Sequence, residues 1–301
     1  MVSRRNRICS IDVVFFVWVR TYREVGGVMV FPPYSVLMSV YWKERPEYLE
    51  KSLTCIFSQS VLPNEVVLIE DGPLTDGLCA VITRYKKKYP ALLKTFSFKN
   101  NRGLGPSLRD GITFCKNEFI ARMDSDDLCA SNRCELQLGK FLENPDLDIV
   151  GCWENEFWNS EEKPFACHKV PEFHSDIFNF MKKRCGLLHP TVIYKKKAVL
   201  KAGNYRSCYL FEDYDLFARM LLSGAKAYNI QKSLYSLRVN PDLFRRRGGL
   251  KYARTLLRFK FGLWRKGFFS VGNFVVGGFG HASVCLLPNP LRVLFYKVFL
   301  R

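Results

Sequence analysis

The 301-residue chain lacks most patterns that would declare its chemistry outright. None of its 11 cysteines forms a CxxC pair, and their number is odd. That argues against a zinc site and against a disulfide framework, and it fits reduced, mostly buried thiols in a cytoplasmic protein. A cleavable secretory leader of the usual form is not seen. No GxxxxGK[ST] run occurs, so a P-loop is excluded. The glycines of Asn101-Arg102-Gly103-Leu104-Gly105 do not have the GxGxxG spacing of a dinucleotide fold. An EF-hand fails because Cys129 stands where the calcium loop needs glycine. Long apolar runs are also missing. Ile8 to Val19 is interrupted by Asp12 and ended by Arg20, well below the ~20 residues of a spanning helix. Val271 to Leu287 is apolar but carries Gly272, Gly277, Gly278, Gly280 and His281, which makes it a marginal span.

Acid is scarce in one place only. The formal net charge is +18, yet residues 34–237 hold 28 Lys/Arg against 25 Asp/Glu, whereas residues 238–301 hold 13 against one. A nucleic-acid-binding domain would spread a basic face over the folded body. A basic tail mixed with Phe, Trp and Leu reads instead as a surface for anionic lipid, the competing reading being a helical cap on the domain with a solvated basic face. The organisation expected is therefore an extension and linker over 1–33, a folded domain over 34–237, and a basic amphipathic tail over 238–301.

What the body does contain is alternation. Apolar runs at Tyr34–Tyr41, Glu65–Gly72, Leu92–Lys99 and Glu118–Asp124 read as strands. Helical stretches at Pro46–Ser58, Asp76–Lys88 and Gly103–Lys116 separate them. Short connections and strands that read as apolar runs predict an α/β fold: a mostly parallel sheet with helices on both faces. In such sheets ligands bind beyond the carboxyl ends of the strands. Tyr41, Asp71, Asn100-Asn101 and Asp124 to Asp126 all follow strand ends, so they are expected on one rim.

The most unusual stretch is "FIARMDSDDL", Phe119 to Leu128. Three carboxylates within four residues cost roughly 1–4 kcal/mol per close pair near a surface. A hard divalent cation facing Asp124 and Asp126 would offset that cost and leave positions open for phosphate oxygens. The competing reading is a solvated loop with a helix cap at Asp127 or Ser131. Glu70-Asp71-Gly72 could meet a base or ribose, or could be an ordinary turn. Glu212-Asp213 could supply a general base at a helix start, or merely cap it. His189 could stand near a metal or be structural.

The order of these segments decides more than any one of them. "SVLMSVYWKERPEYLEKSLTCIFSQS", "EVVLIEDGP", "NNRGLGPSLRDGI", "IARMDSDDLCASNRCELQ", "NPDLDIVG", "HPTVIYKKK" and "FEDYDLFARM" together resemble the family-2 glycosyltransferases of the GT-A fold, over roughly Tyr34 to Leu237. The resemblance is nearest to bacterial enzymes that build exopolysaccharide, capsule or lipopolysaccharide.

It implies that Ser39, Tyr41, Glu44, Asp71, Asn101, Gly103, Asp124 and Ser125 border a nucleotide sugar, with Trp42 where a small polar residue is common. It implies a divalent cation, Mn2+ or Mg2+, on Asp126 with Asp124 and with His189 nearby. Asp213 matches the family's base, with Glu212 beside it. Asp127 and Arg133 are expected to pair and brace the loop, with phosphate as a second possible partner for Arg133. The expected reaction is inverting transfer of a hexose, from a UDP-linked donor, to a lipid-linked saccharide at the inner face of the cytoplasmic membrane. The partners expected are that donor and acceptor and an anionic membrane surface, not nucleic acid. A nucleotidyltransferase is the enzymatic rival, but the Gly-rich basic loop it carries after the first strand is missing from "SVYWKERPE". An inactive membrane-binding protein on a degenerate fold is the other rival.

Overall fold

The computed structural model describes residues 30–208, 210–239, 248–288 and 291. The extension before residue 30 and the triple arginine at 245–247 lie outside the described residues.

Four strands form the first half of the sheet: β1 (Tyr34–Val40), β2 (Glu65–Glu70), β3 (Leu93–Ser97) and β4 (Phe119–Arg122). All pair in parallel in the order β3-β2-β1-β4. Helices α1 (Pro46–Phe57), α2 (Asp76–Lys88) and α3 (Leu104–Phe114) connect them. Alternate residues of one strand enter different cores, because side chains alternate across a sheet. Leu37, Val67 and Ile69 pack on one face with Leu108 and Ile112 of α3. Val36, Met38, Val66 and Leu68 pack on the other with Leu49, Leu53 and Ile56 of α1. Burial on both faces explains why β1, β2 and β4 read as mostly apolar runs, whereas the edge strand β3 buries only Leu93. Each such side chain contributes about 1.5–3 kcal/mol.

The second half is mixed, which the sequence pattern did not show. The remaining elements are β5 (Leu128–Cys129), α4 (Arg133–Glu143), β6 (Leu147–Phe157), β7 (Ala166–His168), α5 (His174–Phe180), β8 (Ile193–Lys195), α6 (Lys196–Lys201), α7 (Glu212–Leu222) and β9 (Lys226–Arg238). The sheet continues β4-β8-β6-β9-β5, with β7 on β6. Strand β8 runs antiparallel to both β4 and β6, β6 and β9 are parallel, and β5 and β7 are antiparallel edges.

The strand order reverses between β1 and β4. Tyr41, Asp71 and Asp124 therefore emerge on one rim, around the switch point where an open sheet offers a crevice.

The tail is partly a cap. Helix α8 (Gly249–Arg265) buries Tyr252, Leu256, Phe259 and Leu263 in the same core as α3. The Phe259 ring lies 4.8 Å from Phe211 and 5.1 Å from Tyr214, so α8 is seated on the start of α7. Phe268 and Phe269 are buried as well. These rings were expected to face lipid, but burial against the domain takes them. The outward apolar side lies further on, in α9 (Val271–Phe274), a π-helical turn over Val275–Phe279, and α10 (Gly280–Leu286). No described helix is long and apolar enough to cross a membrane.

Candidate active site

The acidic loop leaves β4 at Arg122, whose side chain is 1% exposed. Its guanidinium meets Asp124 at 2.5 Å. The Asp124 N–H donates to the Tyr235 hydroxyl (3.2 Å), and its carbonyl accepts from Ser52 Oγ of α1 (2.9 Å). Asp127 is fully buried: Tyr235 donates to Oδ2 (2.9 Å) and the Arg238 N–H to Oδ1 (2.7 Å). Arg238 Nε holds the Asp126 carbonyl at 2.9 Å. The expected Asp127–Arg133 pair is therefore absent. Arg133 opens α4 with its guanidinium turned into the protein, onto Gln137 (3.0 Å) and the Arg122 carbonyl (2.9 Å). At 1% exposure it has no route to phosphate. Arg238, counted above with the tail, is the last residue of β9 and a brace of this loop.

Carboxylate oxygens of Asp124, Asp126 and Asp127 lie within 4.8 Å of one another. Burial, then Asp124 and Glu44, push the Asp126 carboxyl up to about 8. That is the cost of crowding acids without enough positive charge. Asp127 has both oxygens engaged, so Asp124 and Asp126 are the members suited to an added cation. An all-oxygen set of this kind fits a hard divalent ion.

Glu44 crosses the switch point. Its Oε2 accepts from Ser125 Oγ at 2.8 Å and its Oε1 from the Arg45 N–H at 2.8 Å, and burial raises its carboxyl. Ser39 is half-buried near the end of β1. Tyr41 (38% exposed) and Trp42 (53%) stand open at the rim.

Asp71 is buried, and its carboxylate holds the next segment. Oδ1 accepts from the Arg102 N–H (2.8 Å) and Oδ2 from the Gly103 N–H (2.9 Å). Asn101 Nδ2 donates to the Asp71 carbonyl (3.0 Å). Gly72 permits this closeness: its φ is +90°, and a Cβ there would lie 2.6 Å from the Asn101 nitrogen. Asp71 is thus a clamp on the start of α3, a role its sequence context did not reveal.

The same helix start reaches the other pair of acids. A Cβ on Gly105 would sit 2.8 Å from Glu212 Cγ and 2.8 Å from the Arg206 carbonyl. So Asp71, Gly103, Gly105 and Glu212 form a continuous series from the β2 rim to the first residue of α7. Burial raises the Glu212 carboxyl to about 7, and neighbouring Asp213 adds to the shift. Asp213 Oδ1 accepts from the Tyr214 N–H (2.7 Å). Buried Tyr205 shares its hydroxyl with His189 (2.8 Å) and Tyr194 (3.2 Å), and burial raises it.

His189 does not join the acidic cluster. It sits in the 3-10 turn His189–Thr191, its Nε2 pairs with the Tyr205 hydroxyl at 2.8 Å, and its ring packs edge-on against Tyr205 and Phe217. Burial and Arg122 hold the imidazole well below its usual range. It reads as a neutral structural histidine. Arg122, Tyr235, Arg238 and Ser52 are the residues that motif reasoning missed. Only Arg122 had a local signal, as the basic residue abutting the acids.

With this geometry in view, the comparisons with known proteins are specific. The pattern that defines "Glycosyl transferase family 2" matches residues 35–203. The chain belongs to glycosyltransferase family 2. It is 34% identical over 270 residues to a UDP-Gal:alpha-D-GlcNAc-diphosphoundecaprenol beta-1,3-galactosyltransferase of Escherichia coli, covering 90% of this chain and 97% of that one. It is 32% identical over 238 residues to the amylovoran biosynthesis glycosyltransferase AmsE of Erwinia amylovora, covering 78% and 88%. Among solved structures it resembles the mannosyltransferase PcManGT of Pyrobaculum calidifontis in complex with GDP-Man and Mn2+. That match has a TM-score of 0.58 at 16% identity, over 95% of this chain and 80% of that one. It also resembles S. aureus TarS with UDP-GlcNAc, at TM-score 0.59 and 16% identity, over 88% and 73%. This glycosyltransferase therefore has the GT-A fold and relatives in bacterial polysaccharide biosynthesis.

Proposed function

We propose that this glycosyltransferase moves a hexose from a UDP-linked donor to a hydroxyl of a lipid-linked saccharide, in surface polysaccharide biosynthesis, with inversion and with a divalent cation, Mn2+ or Mg2+. The observation that carries the reading is the Asp71-to-Gly105 series, which meets Glu212 at Gly105 and begins on the rim where the Asp124–Asp126 loop also emerges. The name of the Escherichia coli relative, which specifies UDP-Gal and a diphosphoundecaprenol acceptor, supports donor and acceptor class.

Asp124 and Asp126 would hold the cation. When bound, it supplies positive charge to stabilise the departing diphosphate. Ser39, Tyr41, Glu44, Asp71, Asn101, Gly103 and Ser125 border the nucleotide and the sugar. Asp213 takes the proton from the acceptor hydroxyl as that oxygen attacks. Glu212, with its carboxyl at about 7, stays partly protonated at neutral pH. It can then hydrogen-bond the acceptor without adding a second full charge beside Asp213. One base and direct displacement give inversion, so an α-linked donor yields a β-linked product.

A lipid-linked acceptor requires the enzyme at a bilayer, and its placement at the inner face of the cytoplasmic membrane rests on the C-terminal surface. Val271, Val275, Val276, Phe279 and Leu286 recur at helical spacing and are exposed. Residues 267–291 contain no Asp, Glu, Lys or Arg. Exposed Lys251, Arg254, Arg258, Arg265 and Lys266 stand on the preceding helix and turn. Each basic residue at an anionic surface contributes about 1 kcal/mol.

The test is nucleotide release from a panel of UDP-, GDP- and dTDP-sugars with and without manganese, for the native chain and for Asp126→Ala and Asp213→Ala. Metal-dependent release of UDP, lost in both variants, is expected. Pyrophosphate released from UTP or dTTP with a sugar 1-phosphate, with no UDP from any nucleotide sugar, would make the protein a nucleotidyltransferase. No binding of any donor by calorimetry would overturn the reading.

A further inference from the structure

The acidic loop is followed at once by a thiol that faces a second thiol across the molecule. Cys129 lies in β5, two residues beyond Asp127; Cys55 lies on α1. Their sulfurs are 3.3 Å apart. Cys55 Sγ donates to the Cys129 carbonyl (2.9 Å), and the Cys129 N–H donates to Cys55 Sγ (3.0 Å). These contacts belong to one stripe of α1. Ser52 holds the Asp124 carbonyl, Cys55 holds both backbone groups of Cys129, and Gln59 donates to the Ala130 carbonyl (2.9 Å). The stripe thus grips both ends of the acidic loop. Both thiols are half-buried and line a cavity of about 510 Å³, bounded by α1, β5 and β9. The other partly or fully exposed thiols, such as Cys79 and Cys167, have no sulfur neighbour of this kind among the described residues.

We infer that Cys55 and Cys129 form a dithiol site that low-molecular-weight disulfides oxidise to an intramolecular disulfide, and that the bond distorts the acidic loop. The Cys55 thiolate attacks one sulfur of the reagent, forming a mixed disulfide and releasing one thiolate, which takes up a proton. The Cys129 sulfur then attacks Cys55 Sγ and expels the second reagent thiol. Two protein thiols are oxidised and one reagent disulfide is reduced to two thiols. A hydrogen bond from Cys129 holds the Cys55 thiol below its usual range, which favours it as the first nucleophile. Bond formation closes the sulfurs from 3.3 Å to about 2.05 Å. Rotation of the two side chains and movement of β5 or α1 share that closure, and both elements hold the loop. A displacement approaching ~1 Å in a catalytic constellation costs up to roughly 100-fold. The second half of this inference rests on the glycosyltransfer reading; the first half does not.

The experiment treats the full-length protein with oxidised glutathione, blocks residual thiols by alkylation, and maps peptides by mass. In parallel it follows nucleotide release before and after dithiothreitol. The inference requires a cross-linked peptide pair joining Cys55 to Cys129, and a fall in release of at least about 10-fold that dithiothreitol reverses. In Cys129→Ala the same reagent should leave a stable mixed disulfide on Cys55. Separate glutathione adducts on Cys55 and Cys129, or both thiols free while Cys79 and Cys167 are modified, would overturn the site. A cross-link with unchanged release would overturn its effect on the loop. Failure of the reduced protein to release nucleotide would count against the proposed reaction alone, since the peptide map reads the disulfide without turnover.

Discussion

Asp71→Asn separates two roles that this residue combines. In the folded protein each carboxylate oxygen accepts one backbone N–H, from Arg102 at 2.8 Å and Gly103 at 2.9 Å. The side chain is 3% exposed, so water cannot replace a lost partner. Hydrogen bonds to a charged acceptor contribute about 1.5–3 kcal/mol each. An amide keeps one acceptor oxygen, now neutral, and turns an NH2 toward the other N–H. One bond weakens and one buried donor is orphaned, at about 1–3 kcal/mol for the orphan. The expected loss is about 2–4 kcal/mol in chemical denaturation. Release of the Arg102–Gly103 backbone should also loosen the start of α3, where Gly105 meets Glu212. Turnover should then fall along with donor affinity. A variant within about 0.5 kcal/mol of the native protein, altered only in KM for the donor, would refute the clamp and leave Asp71 a ligand-binding residue alone.

The remaining predictions address the carboxyl beside the base, its packing and the tail. Burial raises Glu212 to about 7, so the folded state holds its proton more tightly than the unfolded chain, where Glu titrates near about 4.3. Its stabilisation is complete below about 4.3 and is lost as pH climbs to about 7. Glu212→Gln should therefore gain up to about 3 kcal/mol on the native protein between those limits. Parallel stability curves for the two proteins across that range would contradict the shift. Gly105→Ala places a methyl 2.8 Å from both the Arg206 carbonyl and Glu212 Cγ; overpacking at about 1–3 kcal/mol and a turnover loss approaching 100-fold are expected, and activity within twofold of native would remove Gly105 from the argument. Val276 and Phe279 are 76% and 53% exposed. Replacing both with Glu should weaken cosedimentation with anionic vesicles at least about 10-fold without moving the unfolding midpoint, and undiminished binding would exclude this face as the membrane contact.

The first half of the fold was readable because its central strands are buried on both faces and its helices carry their own punctuation. Pro46 opens α1, Thr75 caps α2 by accepting from the Leu78 N–H, and Asp76–Lys88 forms the helix expected from the pattern. The rim was readable for a related reason: parallel strands must end on the same side, so residues after β1, β2 and β4 converge without further information. In the second half the strand pairing was not readable. Strand β8 is three residues long, β5 two, and their direction is set by which neighbours they find, a choice local sequence does not encode.

The amino-acid sequence by itself determined the chemistry available: which acids stand at strand ends, in what order, and with no basic phosphate loop beside them. Only the tertiary structure decided how those acids are used. It bound Asp127 to Tyr235 and Arg238, more than 100 residues away, and left Asp124 and Asp126 as the pair proposed for a cation. It turned Arg133 and His189 inward, and it drew the aromatic tail onto the helix that carries Asp213. The reason is that charge and apolar surface are local properties, whereas burial depends on distant chain. A carboxylate's partner, and hence its role, is fixed only when the fold brings a donor within about 3 Å.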